Sequence, residues 1–405
     1  MDLRYTPEYD EFRREVRRFL EANWPLTGAQ AKLAEAERIM VFRDLATEQG
    51  YLYRSIPRQY GGSEQPQDIF KSKIILEEFT QAGAPHELSG QGAAMLVPTL
   101  LECGNDAQKE QFIRPTIRGE MTWAQGYSEP GAGSDLASLQ TRAELDGDEW
   151  VINGQKIWTS GADQADMMFC LVRTEPDAGK HAGISYLLVD LKVPGIRVRT
   201  LKQMTATDEF CEVFFDDART PAANIVGKRG EGWAVSKATL MHERALIGDS
   251  GRMERDLAQL VKLARRAQIG GRPAIEDSGI RQRLAEIQAY VATQTHSGSR
   301  MLTATAHGEF AGIVMIMAKL TSTEMSHMMA KLALDLIGDG AFEVPNPIAY
   351  SPVEDGTDAS WLGNWMWSLG IATAGGTANI QRNIIGERGL GLPKQRVANM
   401  GAGKG

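Results

Sequence analysis

Gly126-Tyr127-Ser128-Glu129-Pro130-Gly131-Ala132-Gly133-Ser134-Asp135-Leu136 marks the point where the texture of this 405-residue chain changes. Before it, residues 1–120 read as helix. Phe12, Val16, Phe19 and Leu20 recur at helical spacing with Glu and Arg between them, and Ile69, Phe70, Ile74, Ile75 and Phe79 form a second stripe. Met40, Phe42, Leu45 and Ala46 repeat the pattern more loosely, and the segment from Ser55 to Gln67 reads as a loop. From Met121 to about Asp217, short β-prone runs alternate with turn residues: Glu149 to Ile152, Met168 to Val172, Ile184 to Val189. Asn153-Gly154 between such runs predicts a hairpin turn. After Gly232 the helical period returns over 232–268, 278–296, 300–337 and 358–388, broken at Gly270 to Pro273 and at Gly338 to Pro347. The expected class is α+β, mostly helical: an N-terminal helical domain over 1–120, a central β domain over 121–230 and a C-terminal helical domain over 231–405.

Composition narrows the function. The 44 basic and 52 acidic residues leave a formal charge of −8, which argues against a nucleic-acid binder. No run approaches the roughly 18–20 apolar residues of a membrane span, and the start, MDLRYTPEYDEFRREVRRF, carries no apolar signal core. Cys103, Cys170 and Cys211 are odd in number and widely spaced, so neither a disulfide framework nor a zinc pattern is expected, and a reducing cytoplasm fits. No metal site is expected.

Two runs carry chemistry. The glycine-rich run brings backbone N–H groups and Ser hydroxyls close to a polar or anionic ligand, because glycine removes the Cβ that blocks approach. Taken alone, it serves equally well as a tight turn between a helix and a strand. No Gly-Lys-Ser/Thr follows it, and no strand–turn–helix unit surrounds it, so it is neither a Walker loop nor a Rossmann fingerprint. The second run is Asn153-Gly154-Gln155-Lys156-Ile157-Trp158-Thr159-Ser160-Gly161. Its Trp could wall a flat aromatic cofactor or simply pack between the β domain and the helices.

Taken together, and with Ile225-Val226-Gly227, Gly230-Glu231-Gly232-Trp233, Gly375-Gly376-Thr377-Ala378-Asn379-Ile380-Gln381-Arg382 and Gly389-Leu390-Gly391-Leu392-Pro393, these runs resemble the acyl-CoA dehydrogenase family of flavoproteins over nearly the whole chain. The resemblance implies a C-terminal four-helix bundle, a tetramer (a homotetramer or dimer of dimers), FAD as cofactor, acyl-CoA as substrate and an electron-transfer flavoprotein as partner. By matched position, Gln125, Ser128, Gly133 and Ser134 line the flavin, with Ser134 also near the CoA moiety. Trp158 flanks the isoalloxazine, Ser160 approaches its N5 edge, and Thr377 and Asn379 meet the cofactor from the C-terminal motif. On the adenine side the match is irregular: Arg265 to Gln268 and Ser278 occupy the expected stretch, and Asp335 stands where a Gln is usual.

Dehydrogenation of an acyl thioester needs a carboxylate near Cα in a dry pocket, a hydride acceptor near Cβ, and donors where enolate charge develops on the thioester oxygen. Many members of the family place the base immediately before the Gly-Thr of the C-terminal motif. Here that position is Gly375, which keeps only its backbone N–H for the thioester oxygen. Leu240-Met241-His242-Glu243-Arg244-Ala245-Leu246-Ile247 is similar to a second group of members, acting on branched, long or ring-bearing chains, that take the base from the Glu before this Arg. The resemblance therefore assigns Glu243 as base and substrate contact, Arg244 as its stabilising partner, and a bulky, branched or cyclic acyl group as substrate. A charged pair inside an apolar stretch is costly unless paired or functional, although a helix-surface Glu-Arg pair is the ordinary fate of such dipeptides. The competing readings are a non-catalytic partner subunit in a mixed tetramer, motivated by Gly375, and a relative performing flavin oxidation. Met-rich helices (Met301, Met315, Met317, Met325, Met328, Met329) are read as core filling, and Trp361, Trp365 and Trp367 as pocket floor or subunit contact.

Overall fold

The computed structural model describes residues 6–247, 250–306, 312–342 and 357–393, and at a few helix positions, 243–247 among them, the backbone alone. The chain divides into two compact units, Met1–Leu246 with Thr305–Gly308, and Ile247–Ala304 with Glu309–Gly405.

The first unit opens with helices α1 (Pro7–Asn23), α2 (Glu35–Glu48), α3 (Ile69–Ala82), α4 (Val97–Cys103) and α5 (Asp106–Arg118). Their ends are written locally. Asp68 caps α3 by accepting from the Phe70 and Lys71 N–H groups, both at 3.0 Å, and Gly83 closes it at φ +60°. Asn105 and Gln108 form a reciprocal box at the start of α5. The apolar stripes predicted from spacing meet in one core, where Val16, Phe42, Ile74, Phe79, Leu100 and Ile113 are fully buried.

Eight strands follow: β1 (Trp123–Gly126), β2 (Arg142–Asp146), β3 (Glu149–Ser160), β4 (Met167–Arg173), β5 (Ile184–Asp190), β6 (Ile196–Leu201), β7 (Phe210–Pro221) and β8 (Ile225–Val226). They lie in the order β6-β7-β3-β2-β4-β5-β8, with β1 parallel to β4. Strands β4 and β5 are buried on both faces, so they read as unbroken apolar runs. Their side chains still alternate. Phe169, Leu171, Tyr186 and Leu188 join the core shared with the N-terminal helices, whereas Met168, Cys170, Leu187 and Val189 join a second core on the other face of the sheet. Helix α6 (Gly232–Ile247) starts in the same unit, with Val235 buried in the first of these cores.

One expectation fails here. Asn153-Gly154 is no hairpin turn, because β3 runs straight through it, pairing Arg142 with Asn153 on one side and Phe215 with Gly154 on the other. The register slips between Ile152 and Gly154, so the pair forms a β-bulge, with Gly154 at φ +147°. A Cβ there would stand 2.7 Å from the Thr141 backbone, which explains the glycine. The real hairpin turn lies between Asp146 and Glu149, at Gly147, φ +63°.

In the second unit, α7 (Ser250–Arg266), α8 (Ser278–Ala306), α9 (Gly312–Ile337) and α10 (Asp358–Ile371) share one core that includes Leu260, Ile287, Met325, Met329 and Trp361, and α11 (Ala378–Ile384) follows. Helix boundaries differ from those read off the sequence: 232–268 is divided between α6 and α7, and 300–337 between α8 and α9. No break falls at 297–299, because α8 continues to Ala306 and the Ser299 hydroxyl bonds back to Thr295 O at 3.2 Å. The stretch 358–388 is not one helix, because Gly375 and Gly376 adopt φ +59° and +89° and separate α10 from α11. Of the methionines read as core filling, Met325 and Met329 are buried, while Met317 is half exposed. No described helix is long and apolar enough to cross a membrane.

Candidate active site

In the first unit, the glycine-rich run leaves the end of β1 and folds back on itself. The backbones of Glu129 and Ala132 exchange two hydrogen bonds, at 3.2 and 3.0 Å, around Pro130-Gly131. Its glycines serve different ends. A Cβ on Gly126 would strike Met168 Sδ at 2.3 Å, so that glycine answers the packing of β1 on β4. Around Gly131 and Gly133 a Cβ would meet nothing within 4 Å, so nothing of the described protein demands them and they leave open room over the loop.

The loop is tied down from beneath. Lys156, fully buried on β3, places Nζ 2.7 Å from Glu129 Oε1 and donates to Tyr127 O at 3.3 Å. Glu129 also accepts from the Gln140 and Thr141 N–H groups at 2.6 and 2.9 Å. Burial pushes the Glu129 carboxyl up, but the Lys156 charge and these hydrogen bonds outweigh it and hold the group below its ordinary value. One residue on, the Ile157 N–H donates to Ser128 O at 2.9 Å, so the loop and β3 move as one piece.

That anchoring presents Trp158. The register between β3 and β7 slips again between Lys156 and Thr159, and Trp158 sits in the slip at φ +60°, a left-handed conformation costly for a bulky residue. Its indole is 58% exposed, met edge-on by Phe210 at 5.9 Å. The neighbouring Thr159 hydroxyl is buried and has no partner among the described residues. A large flat side chain held in strain at an open surface, beside an unmet hydroxyl and an uncovered glycine loop, suits a planar polar cofactor such as a flavin. Gln125 lies half-buried in β1 opposite Phe169, Ser128 and Ser160 are half-buried, and Gly133 and Ser134 are exposed. Thus Gln125, Ser128, Trp158 and Ser160 are brought onto one braced loop-and-strand platform, with Gly133 and Ser134 at its open tip.

In the second unit, Thr377 caps α11 by accepting from the Ile380 N–H at 3.2 Å, and Asn379 is exposed in the first turn. Gly375 is half-buried in the turn before it. Asp335, the departure on the adenine side, pairs with Arg283 at 2.7 Å. Glu243 and Arg244 lie on α6, and their side chains fall outside the described residues. His242 beside them is half-buried, and desolvation pushes it below its ordinary value against the pull of Glu102.

Sequence reasoning did not single out Lys156 and Glu129 as a pair, nor Thr159, although all three lie inside the quoted runs. Their signal was a charge on each of two otherwise small-residue or β-prone segments. Nor does the sequence single out Lys319, one of two lysines in the Met-rich helix α9, and it marks Gln381 only as part of a motif.

Family models of the acyl-CoA dehydrogenase N-terminal, middle and C-terminal domains match residues 6–120, 124–218 and 230–390. The chain belongs to the acyl-CoA dehydrogenase family. Acyl-CoA dehydrogenase IpdE1 of Mycobacterium tuberculosis is 38% identical over 96% of this chain and 99% of its own length. Among solved structures, the ChsE4-ChsE5 complex from Mycobacterium tuberculosis is similar with a TM-score of 0.75 and 29% identity, covering 98% of this chain and 100% of that one. The Tcur3481-Tcur3483 steroid ACAD is similar with a TM-score of 0.76 and 28% identity, over 98% of this chain and 100% of that one. The protein is thus an FAD-dependent acyl-CoA dehydrogenase of three-domain architecture.

Proposed function

We propose that this acyl-CoA dehydrogenase oxidises a bulky, branched or cyclic acyl thioester to its trans-2-enoyl thioester, with Glu243 as the base. The observation that carries the reading is Gly375. The position from which many relatives supply the carboxylate is a glycine at φ +59°, where a side chain would be strained, so the acid must come from elsewhere in the chain. Glu243 lies on α6 one turn beyond Thr239, a buried hydroxyl that shares a hydrogen bond with Thr99 at 3.0 Å, so this helix is fixed in the interior of the first unit. The steroid ACAD among the structural relatives supports a polycyclic acyl group.

Bound FAD supplies the hydride acceptor. When bound, it would be held by Gln125 of β1, by Ser128, Gly133 and Ser134 of the loop, Ser134 also meeting the CoA moiety, and by Trp158 and Ser160 of β3; Thr377 and Asn379 are the residues of the C-terminal motif assigned to it. Glu243 takes the proton from Cα, Arg244 steadies its charge, and the Gly375 N–H donates to the thioester oxygen as enolate character develops. Electrons leave to an electron-transfer flavoprotein. The enzyme works in the cytoplasm, in lipid metabolism by β-oxidation, as a tetramer.

Glu243→Gln tests the base. Anaerobic bleaching of the flavin by substrate is expected to slow by about 1,000-fold or more, with the yellow colour of the oxidised protein unchanged. Bleaching at near-normal rate would sink the assignment. A second reading, a non-catalytic subunit of a mixed tetramer, is favoured by the two-component relatives. Expression of this chain alone separates the two: a flavin-loaded homotetramer supports the first, a colourless or insoluble product the second.

A further inference from the structure

Lys319 lies on α9, 56 residues before Gly375, and its side chain is fully buried. A buried amine is costly unless its donors are met. Its Nζ donates to Gly376 O at 2.9 Å and to Ile371 O at 3.3 Å. Gln381, on α11 and also buried, sends Nε2 to Gly375 O at 3.0 Å and to Gly376 O at 3.2 Å. Both acceptors are carbonyls, which settles the amide end as nitrogen. The turn between α10 and α11 is therefore gripped at three carbonyls by two side chains that reach it from the protein interior. The fit is close, since a Cβ on Gly376 would stand 2.7 Å from Gln381 Nε2.

The grip sets direction as well as place. In a planar trans peptide the N–H points opposite to the C=O. The peptide bearing the Gly375 N–H joins the gripped one through only the φ and ψ of Gly375, with φ at +59°. Two adjacent glycines are the least restrained backbone a chain can offer, and both signs of φ are open to them. Holding their carbonyls selects one arrangement before any ligand arrives. A donor helps a developing oxyanion to the extent that it is already aimed when the charge appears.

We propose that Lys319, together with Gln381, is a positioning residue of the thioester site: it fixes the Gly375–Gly376 turn so that the Gly375 N–H meets the thioester oxygen. The proposal rests on the reading of Gly375 given above. It explains why an amine is buried on α9, where an apolar side chain of equal length would fill the space without a desolvation cost. An apolar residue would take a donor from Ile371 O and leave Gly376 O to Gln381 alone.

The test uses the FAD-loaded full chain, wild type beside Lys319→Met and Gln381→Met. The probe is dimethylaminocinnamoyl-CoA, an enoyl thioester whose absorption moves to the red when its carbonyl is polarised. No base is needed to read it. Wild type is expected to shift the bound probe. Lys319→Met is expected to lose most of that shift and roughly 100-fold in kcat, with little change in KM, while Gln381→Met loses part of both. A Lys319→Met protein that melts lower but keeps the full red shift and kcat overturns the proposal, since a merely structural lysine would behave that way. Should Lys319→Met fail to fold, Gln381→Met decides alone: a diminished shift supports the proposal and an undiminished one overturns it. A wild-type protein that binds the probe without shifting it would sink the reading of Gly375, and this proposal with it, so the two failures show in different proteins.

Discussion

Lys156 in the sheet and Lys319 in the helical unit are both fully buried, and each braces a turn of small residues. They do it with different partners. Lys156 answers a carboxylate, Glu129, which spreads its remaining capacity over two backbone N–H groups. Lys319 grips backbone carbonyls and is joined in this by a neutral amide. The first tie depends on opposite charges in a dry place, so it is brittle to the loss of either partner and responsive to acid. The second depends on donor geometry at the Ile371 and Gly376 carbonyls. A loop that must present an exposed aromatic needs a stiff base; a turn that must aim one N–H needs direction.

The largest expected effect tests whether the sheet tie is charge-dependent. Glu129→Leu alone leaves a buried, unanswered ammonium and is expected to cost about 3–5 kcal/mol, and Lys156→Met alone a similar amount. The double replacement is expected to restore most of that, by denaturant unfolding of the three variants. If the single and double variants lose equally, the pair is packing rather than charge. An intermediate effect is the response to acid. The Glu129 carboxyl is held below its ordinary value in the fold, so its stabilisation is full above the unfolded carboxylate range and lost as pH falls through the lowered folded value. Melting curves taken downward from about pH 5 should therefore fall more steeply for wild type than for the Glu129→Leu/Lys156→Met double variant. Parallel curves would assign the acid sensitivity to other carboxylates. The smallest effect concerns what the sheet tie holds up. Trp158→Gly removes a left-handed tryptophan with much of its surface in water. It is expected to stabilise the flavin-free protein by about 1 kcal/mol while weakening retention of FAD on gel filtration. A loss of flavin-free stability would mean that the indole is packed for the fold rather than displayed.

Much of this was legible before any coordinates. The helical stripes of α1 and α3 and the apolar runs of β4 and β5 stand in the structure where spacing put them, because each is a local pattern facing a large core. What misled was punctuation. Asn153-Gly154 looks like a turn, yet β3 is paired on both sides and absorbs the glycine as a bulge, while Gly147-Asp148 does the turning. Ser297-Gly298-Ser299 looks like a break, yet α8 spans it. Partners distant in sequence are unreadable: nothing near Lys156 tells that Glu129 pairs with it, and nothing near Lys319 tells that a glycine turn 56 residues on meets its donors. The residues proposed for flavin and substrate rest on motif resemblance, and the proposed base, Glu243, is what the bleaching experiment tests.

The exchange of hydrogen bonds around Pro130-Gly131, with Glu129 tethered below, has a kinetic consequence. Because these bonds join groups of the chain itself, the chain alone should hold the landing surface in its finished form. Rebinding of added cofactor should then run at a rate proportional to its concentration, with no slow first-order rearrangement behind it.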